Sequence, residues 1–506
     1  MSLHRMLVVF VAVLFLAGCG SSGGSGSGDA DPAQVIPTTS LFYVEGVVRP
    51  EGEQKDNVEA LLDRFLKDRS LEDLLDEAIQ EDMEGQTYAK DIKPWLGERV
   101  GVGIASLTAD EPVFVAGIAV SDKEKAQAYL KRTAKGEAKT YKDTTYYLDG
   151  DTYAGVAGDF VVLTDDEAQF KKAVDTTDGE SLGDSERFKT AVEELPDERL
   201  GAFYLDLKGF GKLIRADPEV GAAGGAIFDK LFANGDPVTA ALTAQPDAAT
   251  VESRISQSFA QGLGAIGLLG AGASTPLVRE VPEDSIAVFG SPKVGTALKN
   301  GLETFAGALG GAALTGSLEQ EIGINLDRDL FSWVGDVSVF VRGDSVPQLN
   351  GAVVIGVTDE AAAMAALPRL VAAAKRNGAP VQDASIAGAD QAFSAPVPGA
   401  PAPVVIAQAG DRVVVALGEQ AAADALQPAG TIAESGLYDR AKSAIDGIEP
   451  TMILDAPSIL KLIEQTAAGD PGYAEAKPYL DQLDLIASGA EEDGDALRSL
   501  FTVKAK

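Results

Sequence analysis

At 506 residues the chain is long enough for two or three domains with cores of their own, and 45% hydrophobic against 24% charged residues is globular composition. Its 42 basic and 77 acidic residues give a formal charge of −35, a surface that repels nucleic-acid phosphates and anionic lipid headgroups. The only His and the only Cys, His4 and Cys19, lie near the start, so the rest of the chain excludes disulfide frameworks, Cys/His zinc sites, cysteine nucleophiles and histidine triads.

The chain opens with His4-Arg5, an apolar run from Met6 to Ala17, and then Gly18-Cys19. This is the layout of an export signal, and the run is too short to span a bilayer core of ~30 Å as a helix. Leu16-Ala17-Gly18-Cys19 resembles the lipobox of bacterial lipoproteins, which implies removal of residues 1–18 and lipidation of Cys19. Residues 19–35 then read as the lipidated Cys and a flexible Gly/Ser tether. Gly20-Ser21-Ser22-Gly23-Gly24 matches a serine-hydrolase spacing without the strand and helix that such a nucleophile needs.

From residue 36 onward the chain says everything twice. "IPTTSLFYVEGVV" (Ile36 to Val48) and "VPEDSIAVFGSP" (Val281 to Pro292) each give a Pro turn and then a strand. Amphipathic helix patterns follow: "NVEALLDRFL" and "LEDLLDEAIQ" in the first copy, "VGTALKNGLETFAGAL" in the second. Next come "DIKPWLGERVGVGIAS" (Asp91 to Ser106) and its echo "DLFSWVGDVSVFVR" (Asp329 to Arg342). They place the only tryptophans, Trp95 and Trp333, in the same frame, followed by Gly97 and Gly335. Each is expected to lead a strand that pairs with the next, "PVFVAGIAV" or "NGAVVIGV".

Helices should open on Ser121-Asp122 and Thr358-Asp359, with Pro368 kinking or shifting the second. Gly158-Asp159 and Gly410-Asp411 read as turns into Val-rich strands, and Val397 to Pro403 as a longer surface loop. Both copies close with a strand ending in Asp (Asp206, Asp455), then helices and a last strand. Short strand connections predict an α+β fold: two tandem repeats, 36–258 and 281–506, each a mostly antiparallel sheet with helices packed on it. Residues 259–280 read as a Gly/Ala-rich linker. The uncharged stretch Ile255 to Val278 is broken by glycines and Pro276, and a span there would put similar domains on opposite sides of a membrane. Gly262, Gly264 and Gly267 fit a dinucleotide-binding spacing but lack a βαβ context.

The Pro-led opening strand, the "KPWLGERVGV" core and the duplicated plan resemble a family of actinobacterial-type exported proteins catalogued as a domain of unknown function. The resemblance spans nearly all of Ile36 to Lys506 and implies a cell-envelope location, with no catalytic residue to carry over.

For chemistry the sequence leaves carboxylates, serines and lysines. Ser458-x-x-Lys461 lacks the partner motifs of penicillin-recognising enzymes, and Gly209 stands at the matching place in the first copy. Asp91, Asp329, Asp206 and Asp455 read as capping residues, and the tryptophans as core anchors. Asp149-Gly150-Asp151 and Glu491 to Asp495 read as a hairpin turn and a solvated loop rather than calcium sites. No metal, cofactor or catalytic residue is expected. The chain reads as a non-enzymatic binding or structural module, lipid-anchored on the extracytoplasmic face of a bacterial membrane. One alternative is a carrier of a hydrophobic ligand held between sheet and helices, and another is a hydrolase using carboxylates alone.

Overall fold

A computed structural model describes residues 29–66, 69–82, 85–107, 112–216, 225, 232, 235–260, 274–309, 312–400 and 402–506. The expected signal and lipobox, including Leu16, Ala17, Gly18 and Cys19, lie outside these residues, as do the two glycine-rich spacings. The chain divides into unit 1 (Met1–Asp217 with Gly235–Arg254) and unit 2 (Pro218–Asn234 with Ile255–Lys506).

In unit 1 the strands are β1 (Phe42–Val47), β2 (Leu96–Leu107), β3 (Pro112–Val120), β4 (Ala138–Tyr141), β5 (Thr144–Asp149), β6 (Thr152–Ala157), β7 (Phe160–Thr164), β8 (Gly201–Leu205), β9 (Val238–Gln245) and β10 (Ala248–Ser256, of which the unit holds the residues to Arg254). The pairings within the unit are antiparallel, in the spatial order β10-β9-β8-β1-β2-β3-β7-β6-β5-β4. The helices are α1 (Gly52–Leu66), α2 (Leu71–Asp82), α3 (Lys123–Thr133), α4 (Glu167–Asp175), α5 (Glu186–Glu193) and α6 (Leu207–Ala216).

In unit 2 the strands are β11 (Ser285–Ser291), β12 (Val334–Arg342), β13 (Asn350–Val357), β14 (Gln382–Asp383), β15 (Gln391–Ala395), β16 (Val404–Ala409), β17 (Arg412–Leu417), β18 (Pro450–Asp455), β19 (Leu483–Asp493) and β20 (Ala496–Ala505). Again the pairings within the unit are antiparallel, in the order β20-β19-β18-β11-β12-β13-β17-β16-β15-β14. Strand for strand this is the order found in unit 1. Its helices are α7 (Val294–Leu309), α8 (Ala312–Ile322), α9 (Glu360–Arg376), α10 (Glu419–Leu426), α11 (Gly436–Ala444), α12 (Ala456–Ala467) and α13 (Pro471–Leu480). The expected mix of helices with antiparallel sheet is present in both units.

Local signals account for most element starts. Asp122 accepts from Lys125 N and Asp359 from Ala362 N, so α3 and α9 begin at the expected caps. Helix α9 continues through Pro368. The carbonyl that proline leaves without an N–H, that of Met364, accepts a hydrogen bond from Gln391 Nε2 at 3.2 Å, which explains why no break is needed.

Three expectations need correction. The tether ends sooner than residue 35: Pro32–Val35 forms a 3₁₀ turn capped by Asp31, and Ala33 and Val35 are fully buried. Likewise Pro276–Glu280, assigned to the linker, is a 3₁₀ turn capped by Thr275 that buries Leu277 and Val278. In each unit, then, a 3₁₀ turn ahead of β1 or β11 packs its apolar residues into the core. Finally, Glu491 to Asp493 are not loop but the end of β19, paired with β20, so unit 2 closes with a hairpin rather than one strand. Acidic residues hid that strand because its exposed end carries no apolar alternation.

Candidate functional site

The Trp-Gly elements build the same clamp in each unit. A single π-helical turn, Tyr88–Ile92 or Asp327–Phe331, precedes the tryptophan. It directs the buried indole back over the turn, where Trp95 Nε1 donates to Asp91 O at 2.7 Å and Trp333 Nε1 to Asp329 O at 2.9 Å. The tryptophan carbonyls accept from Ser121 N and Thr358 N, both at 2.9 Å, tying the turn to the next helix start. Gly97 and Gly335 enter β2 and β12 directly afterwards. A Cβ on Gly335 would meet Gly356 O at 2.7 Å, so the close strand approach requires glycine.

The carboxylates in this element are structural. Asp91 accepts from Thr87 N at 3.1 Å and from Arg132 Nη2 at 2.6 Å. Asp329, fully buried, accepts from Asn325 N at 2.9 Å, Arg369 Nε at 2.6 Å, and Arg328 Nε and Nη2 at 2.8 and 2.7 Å. The Arg328 hydrogen bonds, with Asn325 N–H and Arg369 behind them, outweigh burial and hold the Asp329 carboxyl well below the usual range. Arg132 on α3 and Arg369 on α9 are thus partners that each clamp uses and that sequence spacing alone does not reveal.

The strand-ending aspartates are also engaged. Asp206 Oδ1 accepts from Lys208 N at 3.1 Å, at the start of α6, and from Arg187 Nε at 3.1 Å. Asp455 is the N-cap of α12 and accepts from Ser458 Oγ. Ser458 therefore belongs to a helix start, and among the described residues no hydrogen bond joins it to Lys461. Gly209 in unit 1 has its own reason: a Cβ there would meet Leu41 Cδ2 at 2.1 Å. Asp91 and Asp206 have separate partner sets, as do Asp329 and Asp455, so these residues form no shared carboxylate pair. Among the described residues no group of three or more His, Cys, Asp or Glu is placed to hold a metal ion.

Two features escaped the sequence. In unit 1 a buried charge cluster joins Asp29, Asp31, Tyr43, Glu45, Arg99 and Arg199. Glu45 is 8% exposed and Arg99 and Arg199 are 17% and 18% exposed. Tyr43 Oη donates to Glu45 Oε2 at 3.0 Å, and Glu45 Oε1 lies 3.7 Å from Arg99 Nη1 and 3.6 Å from Arg199 Nε. Arg99 Nε donates to Asp29 Oδ1 at 3.0 Å, joining the first described residues to the sheet. Burial, and then the Glu45 charge, push the Asp31 carboxyl up to about 6, and burial first of all raises the Tyr43 phenol well above its ordinary range. In unit 2 the corresponding turn is held differently, through Thr275 Oγ1 to Asp336 Oδ2 at 2.7 Å.

The Asp31 shift has a definite sign. Its folded value of about 6 exceeds the ordinary 3.8, so the folded state keeps a proton that the unfolded chain releases. The stability due to this group is complete below pH ~4 and is lost as pH rises through ~6. Urea midpoints of the parent protein relative to Asp31→Asn are expected to fall between pH 4.5 and 7.5, approximate bounds set by that window. A gap that stays constant with pH contradicts the shift. Asn retains an oxygen for the cap to Ala33 N, so the cap itself is not lost.

The second feature is an open apolar sheet face in unit 2. Phe501, Ser488, Met452, Phe289, Val339 and Val353 are directly opposed in register across β20, β19, β18, β11, β12 and β13. Opposed residues share a face. On this face Phe289 is 44% exposed and Phe501 42%. The opposite face, with Val288, Phe340 and Ile453, belongs to a closed core. In unit 1 the matching face holds Phe42 and Phe203 in a T-shaped contact with centroids 5.3 Å apart.

Comparison with known proteins adds a family and a distant likeness. Three solved crystal forms of TP0453 are similar to part of this chain. Form IV has 14% identity and a TM-score of 0.27, covering 50% of this chain and 91% of that one. Form III has 13% and 0.26, covering 49% and 90%, and form I has 15% and 0.25, covering 45% and 78%. No curated protein matches the chain. A family description, "Protein of unknown function (DUF3352)", matches residues 3–447, and the chain belongs to that family.

Proposed function

We propose that this protein is a lipid-anchored, extracytoplasmic envelope protein made of two tandem α+β repeats, acting as a binding module and not as an enzyme. The duplication is supported by the identical strand order and by the paired Asp91/Trp95/Arg132 and Asp329/Trp333/Arg369 clamps. The single observation that carries the non-enzymatic reading is that Asp91, Asp206, Asp329 and Asp455 are each occupied in helix starts or ion pairs. Anchoring rests on Leu16-Ala17-Gly18-Cys19 with Cys19 as the only cysteine. Two or three acyl chains, each buried CH₂ contributing ~0.8 kcal/mol, hold a protein at a bilayer without a spanning helix. Among the described residues no helix is long and apolar enough to cross a membrane.

The test is Cys19→Ser in a bacterial host that lipidates exported proteins. The parent chain should fractionate with membranes and the variant should leave them. A variant that stays membrane-bound sinks the anchoring argument. A second reading, a carrier of a hydrophobic ligand held between sheet and helices, is favoured by the open apolar face around Phe289.

A further inference from the structure

We propose that the chain cuts its own peptide bond between Asp31 and Pro32, with the Asp31 side chain as nucleophile, and so parts the residues up to 31 from the rest of the protein. This goes beyond the reading above. It is one event of a chain upon itself, with no substrate turned over.

The sequence has four Asp-Pro bonds, at 31–32, 217–218, 236–237 and 470–471. Such a bond is weak for two reasons. A carboxyl that attacks its own residue's carbonyl closes a five-membered ring, so the reacting atoms are always near each other. The proline nitrogen is a tertiary amide without an N–H, and it leaves as a secondary amine, more basic than the primary amine of other residues.

The fold treats the first of these bonds differently. Asp236 and Asp470 are exposed, whereas Asp31 is half-buried and Pro32 is buried. Asp31 Oδ1 accepts from Ala33 N at 2.9 Å, which folds the carboxyl forward over the Asp31–Pro32 peptide. At Asp470 the carboxyl reaches one residue further, to Tyr473 N at 3.0 Å, past the bond. Gln34 N donates to Asp31 O at 3.0 Å and polarises the carbonyl to be attacked. Ala474 N does the same for Asp470, so the two sites differ in the carboxyl and its surroundings. A Cβ on Gly101 would meet Pro32 Cβ at 2.7 Å and Tyr43 Oη at 2.6 Å, so the pyrrolidine is pressed onto β2, away from water. The Asp31 carboxyl is then the acid beside the leaving nitrogen.

The surroundings keep a proton on that carboxyl. Burial first, then the Glu45 charge, push it up to about 6, against the Ala33 N–H, Arg99 and Arg199. Strands β3 and β7, also packed on this turn, carry no charged residue, and Asp184 of the neighbouring 3₁₀ turn is taken up by Ser181. In the step, the carboxyl proton passes to Pro32 N as the carboxyl oxygen bonds to the Asp31 carbonyl carbon. The C–N bond breaks with its electron pair on nitrogen, leaving a cyclic anhydride on Asp31 and an amine at Pro32. One water opens the anhydride to two carboxyls, and half-exposed Asp31 admits it. Nothing is oxidised or reduced.

The experiment incubates the full chain carrying Cys19→Ser and follows intact mass. At pH ~5 a fragment ending at Asp31 and one beginning at Pro32 should accumulate, at a rate independent of chain concentration that falls about tenfold per unit above pH ~6. The bonds at 236–237 and 470–471 should stay whole. Pro32→Ala, which restores an ordinary secondary amide, should slow the cut at least about tenfold. Asp31→Asn, which keeps an oxygen for Ala33 N, should stop it, and Asp470→Asn should leave it unchanged. Circular dichroism and urea midpoints identify the variants that fold. A folded parent that stays whole overturns the proposal, as does an Asp31→Asn chain cut as fast as the parent. Equal cutting at 470–471, or a parent cut as fast in urea as when folded, shows only the ordinary weakness of the dipeptide and overturns it too. If the cut occurs while the parent chain is not membrane-bound, the anchoring reading fails and this one stands. If the parent is anchored and never cut, the reverse holds.

Discussion

Trp95→Ala and Trp333→Ala are each expected to destabilise their own unit by about 3–5 kcal/mol, the range for emptying a buried large aromatic site. Both indoles are essentially inaccessible, at 1% and 2% exposure, so neither site has solvent to collapse into. Truncation also removes the Nε1 hydrogen bond to the π-turn carbonyl, leaving the Asp91 or Asp329 oxygen without its indole donor. In unit 1 it further removes the ring contact with Tyr129, with centroids 5.4 Å apart. Trp→Phe keeps most of the apolar burial and should cost less, about 1–2 kcal/mol, mainly the lost hydrogen bond. Urea unfolding followed by circular dichroism orders the variants. Each single replacement also leaves one tryptophan, whose fluorescence reports on the other unit. Alanine variants as stable as the parent would contradict the clamp.

Glu45→Ala should cost about 3–5 kcal/mol, because it leaves two guanidiniums and a phenol in low-dielectric surroundings without their common acceptor. Arg99 retains Asp29, but Arg199 Nε has no hydrogen-bond acceptor and loses its carboxylate neighbour. The loss should exceed that from breaking an exposed pair such as Lys123–Asp159, worth at most about 1 kcal/mol. Comparing Glu45→Ala with Asp159→Ala by urea denaturation checks this. Equal, small effects would show that Glu45 is already well solvated. The cluster also joins Asp29 to β2 through Arg99, so the same variant should increase amide exchange in residues 29–35.

The tryptophan frame, the helix caps and the strand-ending aspartates were legible in the sequence because each is written within a few residues. Asp122 and Asp359 announce α3 and α9 by a side-chain cap that acts over three residues. The π-turns were not legible, since one added residue per turn leaves no mark in composition. The clamp's arginines escaped because Arg132 and Arg369 lie 41 and 40 residues from their aspartates. The charge cluster is more dispersed still: Arg99 meets Asp29 across 70 residues. The residues before Ile36 read as tether because Asp29, Asp31 and Gln34 are interspersed with small residues, although Ala33 and Val35 are buried. The open face around Phe289 needs the register of several strands, which hydrophobic alternation alone does not supply.

The central claim is a lipid-anchored mature protein, and its most direct test is the intact mass of the N-terminal peptide of protein extracted from membranes. The expected result is a chain beginning at Cys19 and carrying acyl groups. A chain beginning at Met1, or a cleaved chain with an unmodified Cys19, would contradict it.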